Sequence, residues 1–412
     1  VVEMTTNTVG TNKSKQTISR NRLLGIAGIG WLFDAMDVGI LSFVIAALAA
    51  DWGLTPSQSG WIGSINSIGM AVGALVFGVF ADKVGRKQIF MWTLVLFSIA
   101  SGLSAFTTTL TAFLMLRFLV GMGLGGELPV ASTLVSESVA AKERGRVVVL
   151  LESFWAAGWL IAALISYFVI PTWGWRVALV LTALPAFYAI YLRWHLPDSP
   201  QFMVKKEAKA RSILQNIKEV WSKKYARSTL MLWVLWFTVV FSYYGMFLWL
   251  PSVMVGKGFD MITSFKYVLI MTLAQLPGYF TAAWFIEKFG RKFVLVSYLI
   301  GTAVSAFIFG NADTLVVLVL SGMFLSFFNL GAWGALYAYT PEQYPSIIRG
   351  TGAGMAAAAG RIGGIFGPLL VGSLLTAGYD IGFIFAIFCG AIIIGVVGVI
   401  FLGKETKQLE LE

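Results

Sequence analysis

Apolar residues run along this chain in long, nearly unbroken blocks, not at the 3.6-residue spacing of a helix with one wet face. Twelve blocks stand out: 23–49, 60–81, 89–106, 111–139, 147–170, 177–194, 230–250, 265–285, 293–310, 315–339, 351–377 and 381–402. A membrane-crossing helix needs about 20 mainly apolar residues. A block that is apolar all round has no face for water, so each predicts a helix immersed in lipid. The expected fold is an all-α membrane protein of twelve transmembrane helices.

Composition agrees with that pattern. The 412 residues are 58% hydrophobic and 12% charged, with a mean hydropathy of +0.81. A soluble domain could not bury so much apolar surface. The formal net charge of +10 would suit a nucleic-acid partner, but its placement excludes that reading. With the N-terminus set inside, the tail and alternate loops carry 25 of the 30 Lys and Arg, and the opposite loops carry Lys257 and Lys266. Arg117, Arg176 and Arg361 lie within or at the edges of blocks. This positive-inside asymmetry predicts a multi-pass protein of the cell membrane with both termini cytoplasmic. No cleavable leader is expected, because the first block is long enough to span. Cys389, the single cysteine, is expected to serve packing.

The polar segments reveal a repeat. Gly78-x-x-x-Asp82-Lys83-x-Gly85-Arg86-Lys87 returns as Ala283-x-x-x-Glu287-Lys288-x-Gly290-Arg291-Lys292, 205 residues later. Glu137-x6-Arg144-Gly145 returns as Glu342-x6-Arg349-Gly350 at the same offset of 205. Two motifs at one offset predict a duplicated unit. The expected organisation is an N-terminal cytoplasmic tail (1–20, polar and disordered), a six-helix bundle (21–196), a cytoplasmic central loop (197–228), a second six-helix bundle (229–403) and a C-terminal tail (404–412). Residues 207–221 read as a tether between the halves, with a short amphipathic helix on the inner surface as the alternative. Parallel repeats of this kind place a solute site at mid-membrane between the halves.

The same residues carry a family resemblance. The Gly78–Lys87 loop, its degenerate copy and Arg117-x-x-x-Gly121-x-Gly123-x-Gly125-Gly126-Glu127 resemble the signatures of the major facilitator superfamily. Pro197-Asp198-Ser199-Pro200 and Lys404-Glu405-Thr406 resemble its sugar and organic-ion branch. Trp31 to Asp37, Gly125 to Pro129, Phe241 to Gly245 and Tyr339 to Pro345 are similar to the niacin permeases of Bacillus-type bacteria. Those permeases are relatives of aromatic-acid proton symporters, organic-ion transporters and synaptic vesicle glycoprotein 2. The resemblance implies a transporter, not an enzyme, with two pseudo-symmetric bundles, a small aromatic carboxylate as substrate and aromatic pocket walls on helices five, seven and ten. The expected assembly is a monomer in the bilayer, with protons as co-substrate and no cofactor, metal or nucleic acid.

Ionisable groups inside hydrocarbon are costly, about 2.5–3.5 kcal/mol each on insertion scales, and each needs a reason. Asp34 and Asp37 lie three apart on one face of the first helix and suit proton coupling. A structural ion pair with Arg117 is the alternative, and the two roles combine if protonation breaks the pair. Glu127, in a glycine-rich stretch, is a further candidate for proton or substrate handling. Arg361 is the one cation deep in the second half; its planar guanidinium suits a carboxylate of the substrate, or an ion pair between helices. Trp155, Tyr243, Tyr244 and Trp333 are candidate walls for a flat ring, with Asn329 and Gln275 as polar contacts. A gating set completes the list: Asp82, Arg86, Glu137, Arg144, Glu152, Glu287, Arg291, Glu342 and Arg349, expected to latch the inner face. The expected activity is import of a small aromatic monocarboxylate, niacin first, by proton symport and alternating access. The rivals are an exporter or carrier of sugars or organic cations, and a receptor-like binding protein that does not transport.

Overall fold

A computed structural model describes residues 20–84, 86–125, 139–194 and 212–410. Glu127 and Glu137 lie outside the described residues, as do the side chains of Asp82 and Arg86. The first six blocks become helices α1 (Arg20–Trp52), α2 (Pro56–Val84), α3 (Arg86–Ser104), α4 (Leu110–Gly125), α5 (Arg144–Trp173) and α6 (Trp175–Trp194). A short helix α7 (Ile213–Val220) falls inside the segment 207–221, where an amphipathic helix is the alternative to a tether. The seventh block is α8 (Ala226–Phe247) continued by α9 (Leu250–Gly256), and the eighth is α10 (Met261–Leu273) continued by α11 (Gln275–Phe289). The last four are α12 (Arg291–Gly310), α13 (Leu315–Tyr339), α14 (Ser346–Thr376) and α15 (Ile381–Leu402).

Local chemistry sets the ends. Thr314 caps α13 by accepting from the Val317 N–H, and Asp380 caps α15 by accepting from the Phe383 N–H, each satisfying an amide that the helix leaves open. Among the described residues, nine helices are long and apolar enough to cross a membrane, and three shorter apolar helices (Met91–Ser104, Leu110–Gly125, Trp175–Leu184) complete the set. Their outward faces stay apolar: Leu75, Phe106, Phe168, Phe324 and Phe401 are all exposed, as lipid contact requires.

The duplication is written into the packing. In the first half α5 packs on α1, α4 on α2 and α3, and α6 on α3 and α1. In the second half α14 packs on α8, α13 on α10–α11 and α12, and α15 on α12 and α8. These are the same pairings, one unit later. The halves meet where α2 lies on α14 and where α5 lies on α10, α11 and α13. A Cβ on Gly73 would strike the Met122 carbonyl, and one on Gly278 would strike the Phe327 carbonyl. Both partners obey the offset of 205, so one glycine-mediated backbone contact is built twice. At the axis between the halves, Ser42 Oγ donates to the Phe247 carbonyl, its own counterpart 205 residues on, at 3.0 Å.

Candidate functional site

A cavity opens between the halves, lined by four helices. α8 contributes Trp236, Val240 and Tyr244, spaced four apart on one face; α13 contributes Trp333 and Tyr337; α14 contributes Ala357, Gly360 and Arg361; α5 contributes Trp155. The walls are aromatic and mutually braced. Trp155 stacks on Trp333 with ring centroids 6.1 Å apart, and its indole N–H donates to the Tyr243 hydroxyl at 2.8 Å. Tyr243 packs on Trp333 at 4.7 Å from behind the lining. Trp236 lies edge-on to Tyr337 at 5.0 Å and is fixed by its N–H donating to Thr340 Oγ1 at 2.9 Å. The Trp333 indole N–H has no partner among the described residues.

Arg361 is the charge in this box. Its Nη1 donates to the Met70 thioether at 3.1 Å, and no described carboxylate stands within ion-pair distance of it. A guanidinium with five donors, held against a weak sulfur acceptor at the edge of an apolar cavity, has donors to spare for an anion. The alternative expectation, an ion pair between helices, has no partner among the described residues.

Arg117 took the opposite course. It is fully buried and closes on Asp37 through Nη1–Oδ1 at 3.2 Å and Nη2–Oδ2 at 2.8 Å, the bidentate geometry that a planar fork favours. Asp34, one turn earlier, is buried too, and lies with Arg361 in the electrostatic surroundings of Tyr244. Gln275 and Asn329 are off the cavity lining. Both are buried, and neither end of either amide has a partner among the described residues.

Most of the described gating residues gather at the charged end of the bundle. Arg291 donates through Nε and Nη2 to the two carboxylate oxygens of Glu342 at 3.0 Å each, and through Nη1 to Glu287 at 3.1 Å. Arg144 of the first half reaches Glu342 at 3.8 Å, and the Arg146 amide donates to Glu287 at 2.9 Å, so the network joins the halves. Arg349 donates to the Pro341 carbonyl. The C-terminal segment is woven in: Thr406 Oγ1 donates to Glu342 at 2.6 Å, and Glu405 accepts from the Arg291 and Lys292 amides. Gly290 turns into α12 with φ 96°, a conformation natural to glycine; a Cβ there would also meet the Glu405 carboxylate.

Glu152 stands apart from that network. It is fully buried, and its Oε2 accepts from the Trp31 indole N–H at 2.6 Å. Trp31 in turn touches two cavity walls, Trp155 and Tyr337, each at 5.7 Å. Trp31, Trp236 and Tyr337 were not singled out from the sequence as site residues. A signal existed for the last two: Tyr337 is one turn beyond Trp333, and Trp236 is two turns before Tyr244, so each shares a face with an expected wall.

Comparison with known proteins follows the same lines. A family model described as Major Facilitator Superfamily matches residues 27–276 and 267–411. A Bacillus subtilis protein, provisionally named niacin/nicotinamide transporter NiaP, is 67% identical over 97% of this chain and 99% of its own length. The niacin transporter NiaP of Acinetobacter baylyi is 46% identical over 95% of both chains. A crystal structure of a D-xylose–proton symporter superposes with a TM-score of 0.77 at 22% identity, over 94% of this chain and 99% of the other; at that identity the likeness is one of fold. With the family model running through both halves and the same helix pairing built in each, the chain belongs to the major facilitator superfamily of membrane transporters.

Proposed function

We propose that this protein imports nicotinate, or a closely similar aromatic monocarboxylate, by alternating access. The observation that carries the reading is Arg361: a guanidinium without a carboxylate partner among the described residues, set in a cavity walled by Trp155, Trp236, Trp333, Tyr244 and Tyr337. The arginine takes the carboxylate and the rings sandwich the heteroaromatic ring. The two relatives named for niacin support the choice of acid. An organic cation would meet the guanidinium with like charge, and a sugar would leave it without a counter-charge. Import is coupled to protons through carboxylates of the first half, with Asp37 and Arg117 as the pair whose state differs between conformations. A ligand shifts such an equilibrium only by differential affinity, so substrate and proton together favour closure. By the positive-inside asymmetry, the end bearing Arg144 and Arg291 is cytoplasmic, and the bacterial transporter relatives support the plasma membrane as its location. Labelled nicotinate uptake into proteoliposomes, with and without an inward proton gradient, tests this. Gradient-stimulated accumulation is expected; exchange of nicotinate without any response to the gradient would sink the symport and leave a facilitator.

A further inference from the structure

We infer that Glu152 is the carboxyl that loads the coupling proton, and that Trp31 links it to the state of the substrate cavity. The inference rests on the proton-coupled reading above and names its site.

Two buried carboxyls of the first half, Asp37 and Glu152, differ in their partners. Asp37 is already neutralised by two parallel hydrogen bonds from Arg117. Among the described residues Glu152 has no cation: its one hydrogen bond comes from the neutral Trp31 indole, and Oε1 is buried without a partner. No cation among the described residues on the elements packed against α5 stands within ion-pair distance of it, and Arg22 of α1 is exposed. α1 brings Asp34 and the neutralised Asp37. α11 brings the Tyr279 hydroxyl, itself without a partner, and further along Glu287, held by Arg291. α13 brings Tyr337. Lys266 of α10 is exposed, and Arg176 of α6 is bound to the Ala105 and Thr107 carbonyls. A buried carboxylate so placed has no counter-charge, and only a proton neutralises it without rearranging the helices.

The geometry also supplies a link to substrate. Trp31 donates to Glu152 while its ring lies against Trp155 and Tyr337. A ring entering the cavity displaces those two walls. Trp31 moves with them, and its hydrogen bond to Oε2 is strengthened or broken. Occupancy of the cavity and protonation of Glu152 are then one linked equilibrium, and linkage is reciprocal.

The test measures nicotinate affinity of the purified full-length protein against pH, beside transport in proteoliposomes. For one linked proton the wild-type Kd changes by up to about tenfold per pH unit. Glu152→Gln, close in shape to the neutral acid, should bind nicotinate and catalyse nicotinate counterflow, yet show a flat pH profile and no gradient-driven accumulation. Glu152→Asp should restore a pH-dependent Kd, and Asp37→Asn should keep one. A pH-dependent Kd that survives in Glu152→Gln, or vanishes in Asp37→Asn alone, overturns the assignment. So does a wild-type Kd that does not vary with pH, whatever transport shows. Loss of binding together with counterflow in Glu152→Gln would make the residue structural, and also overturns it. If wild-type affinity is pH-linked through Glu152 but uptake ignores the gradient, the proton site stands and the symport reading alone fails.

Discussion

The Arg361 guanidinium rests on the Met70 sulfur at 3.1 Å, a contact that joins α14 of one half to α2 of the other. Thioether sulfur is a weak acceptor, so the contact positions the arginine without neutralising it. A carboxylate that arrives replaces a poor partner with a charge-assisted, two-point one.

Removing that charge should therefore separate acid from amide. A hydrogen bond to a charged group contributes about 1.5–3 kcal/mol, so Arg361→Ala should weaken nicotinate binding about 10- to 100-fold. Nicotinamide, which lacks the negative charge, should lose much less. Arg361→Lys keeps the charge but not the planar fork and should fall between. Calorimetric titration of the three proteins with both ligands decides the matter, and an unchanged nicotinate Kd in Arg361→Ala would remove the anion contact.

The aromatic walls predict a smaller and less selective effect. Ring pairs contribute about 0.5–1.5 kcal/mol beyond area burial, so Trp333→Leu should weaken nicotinate and nicotinamide alike, by roughly 2- to 15-fold. Trp155→Phe also removes the N–H that holds the Tyr243 hydroxyl, and should cost more than ring area alone suggests. Intrinsic tryptophan fluorescence reports occupancy directly, because three tryptophans line the cavity. Ligand quenching that is unaltered in Trp333→Leu would place the ring elsewhere.

The sequence carried the fold further than the site, for a physical reason. Hydropathy and the offset of 205 are properties of many residues at once, so single exceptions do not blur them. The pairing of Gly73 with Met122 and of Gly278 with Phe327 shows how far the register held. Side-chain partners depend on rotation about each helix axis, which a uniformly apolar block leaves unmarked. Arg117 and Asp37 could be placed within reach of each other but not joined by spacing alone. Glu152 illustrates the limit best. Its place two turns into the fifth block reads as part of the inner gate, whereas helix rotation turns it onto Trp31, which lies against two cavity walls. Trp31 opens the stretch from Trp31 to Asp37, yet nothing in its spacing marks it as that partner.

The buried pair makes a prediction about stability. Breaking one partner of a buried ion pair leaves an uncompensated charge, and costs about 3–5 kcal/mol. Arg117 is fully buried, with Nε also lacking a protein partner, so Asp37→Asn should lower the melting temperature in detergent markedly. Replacing both residues with similarly sized neutral ones, Asp37→Asn with Arg117→Gln, should recover much of the loss. A double substitution as unstable as the single one would show that the charge was not what the pair contributed.

The network at the charged end leads to a prediction about access. Arg291 holds Glu287 and Glu342 of its own half, and those carboxylates in turn accept from the Arg146 amide and approach Arg144 of the other. Thr406 adds a strap from the C-terminal segment. Arg291→Ala leaves two buried carboxylates facing each other without their shared cation, and like charges there push the halves apart. The end should open more often, exposing the cavity from that side. Ala357 lines the cavity, so Ala357→Cys in a Cys389→Ala background reports it. A charged thiol reagent applied to the Arg144 end should label Ala357→Cys about 5- to 150-fold faster when Arg291→Ala is added, the range typical of coupling between sites. Thr406→Val should give a smaller increase of the same sign. Labelling that slows or stays constant in Arg291→Ala would mean that the network does not restrain this end.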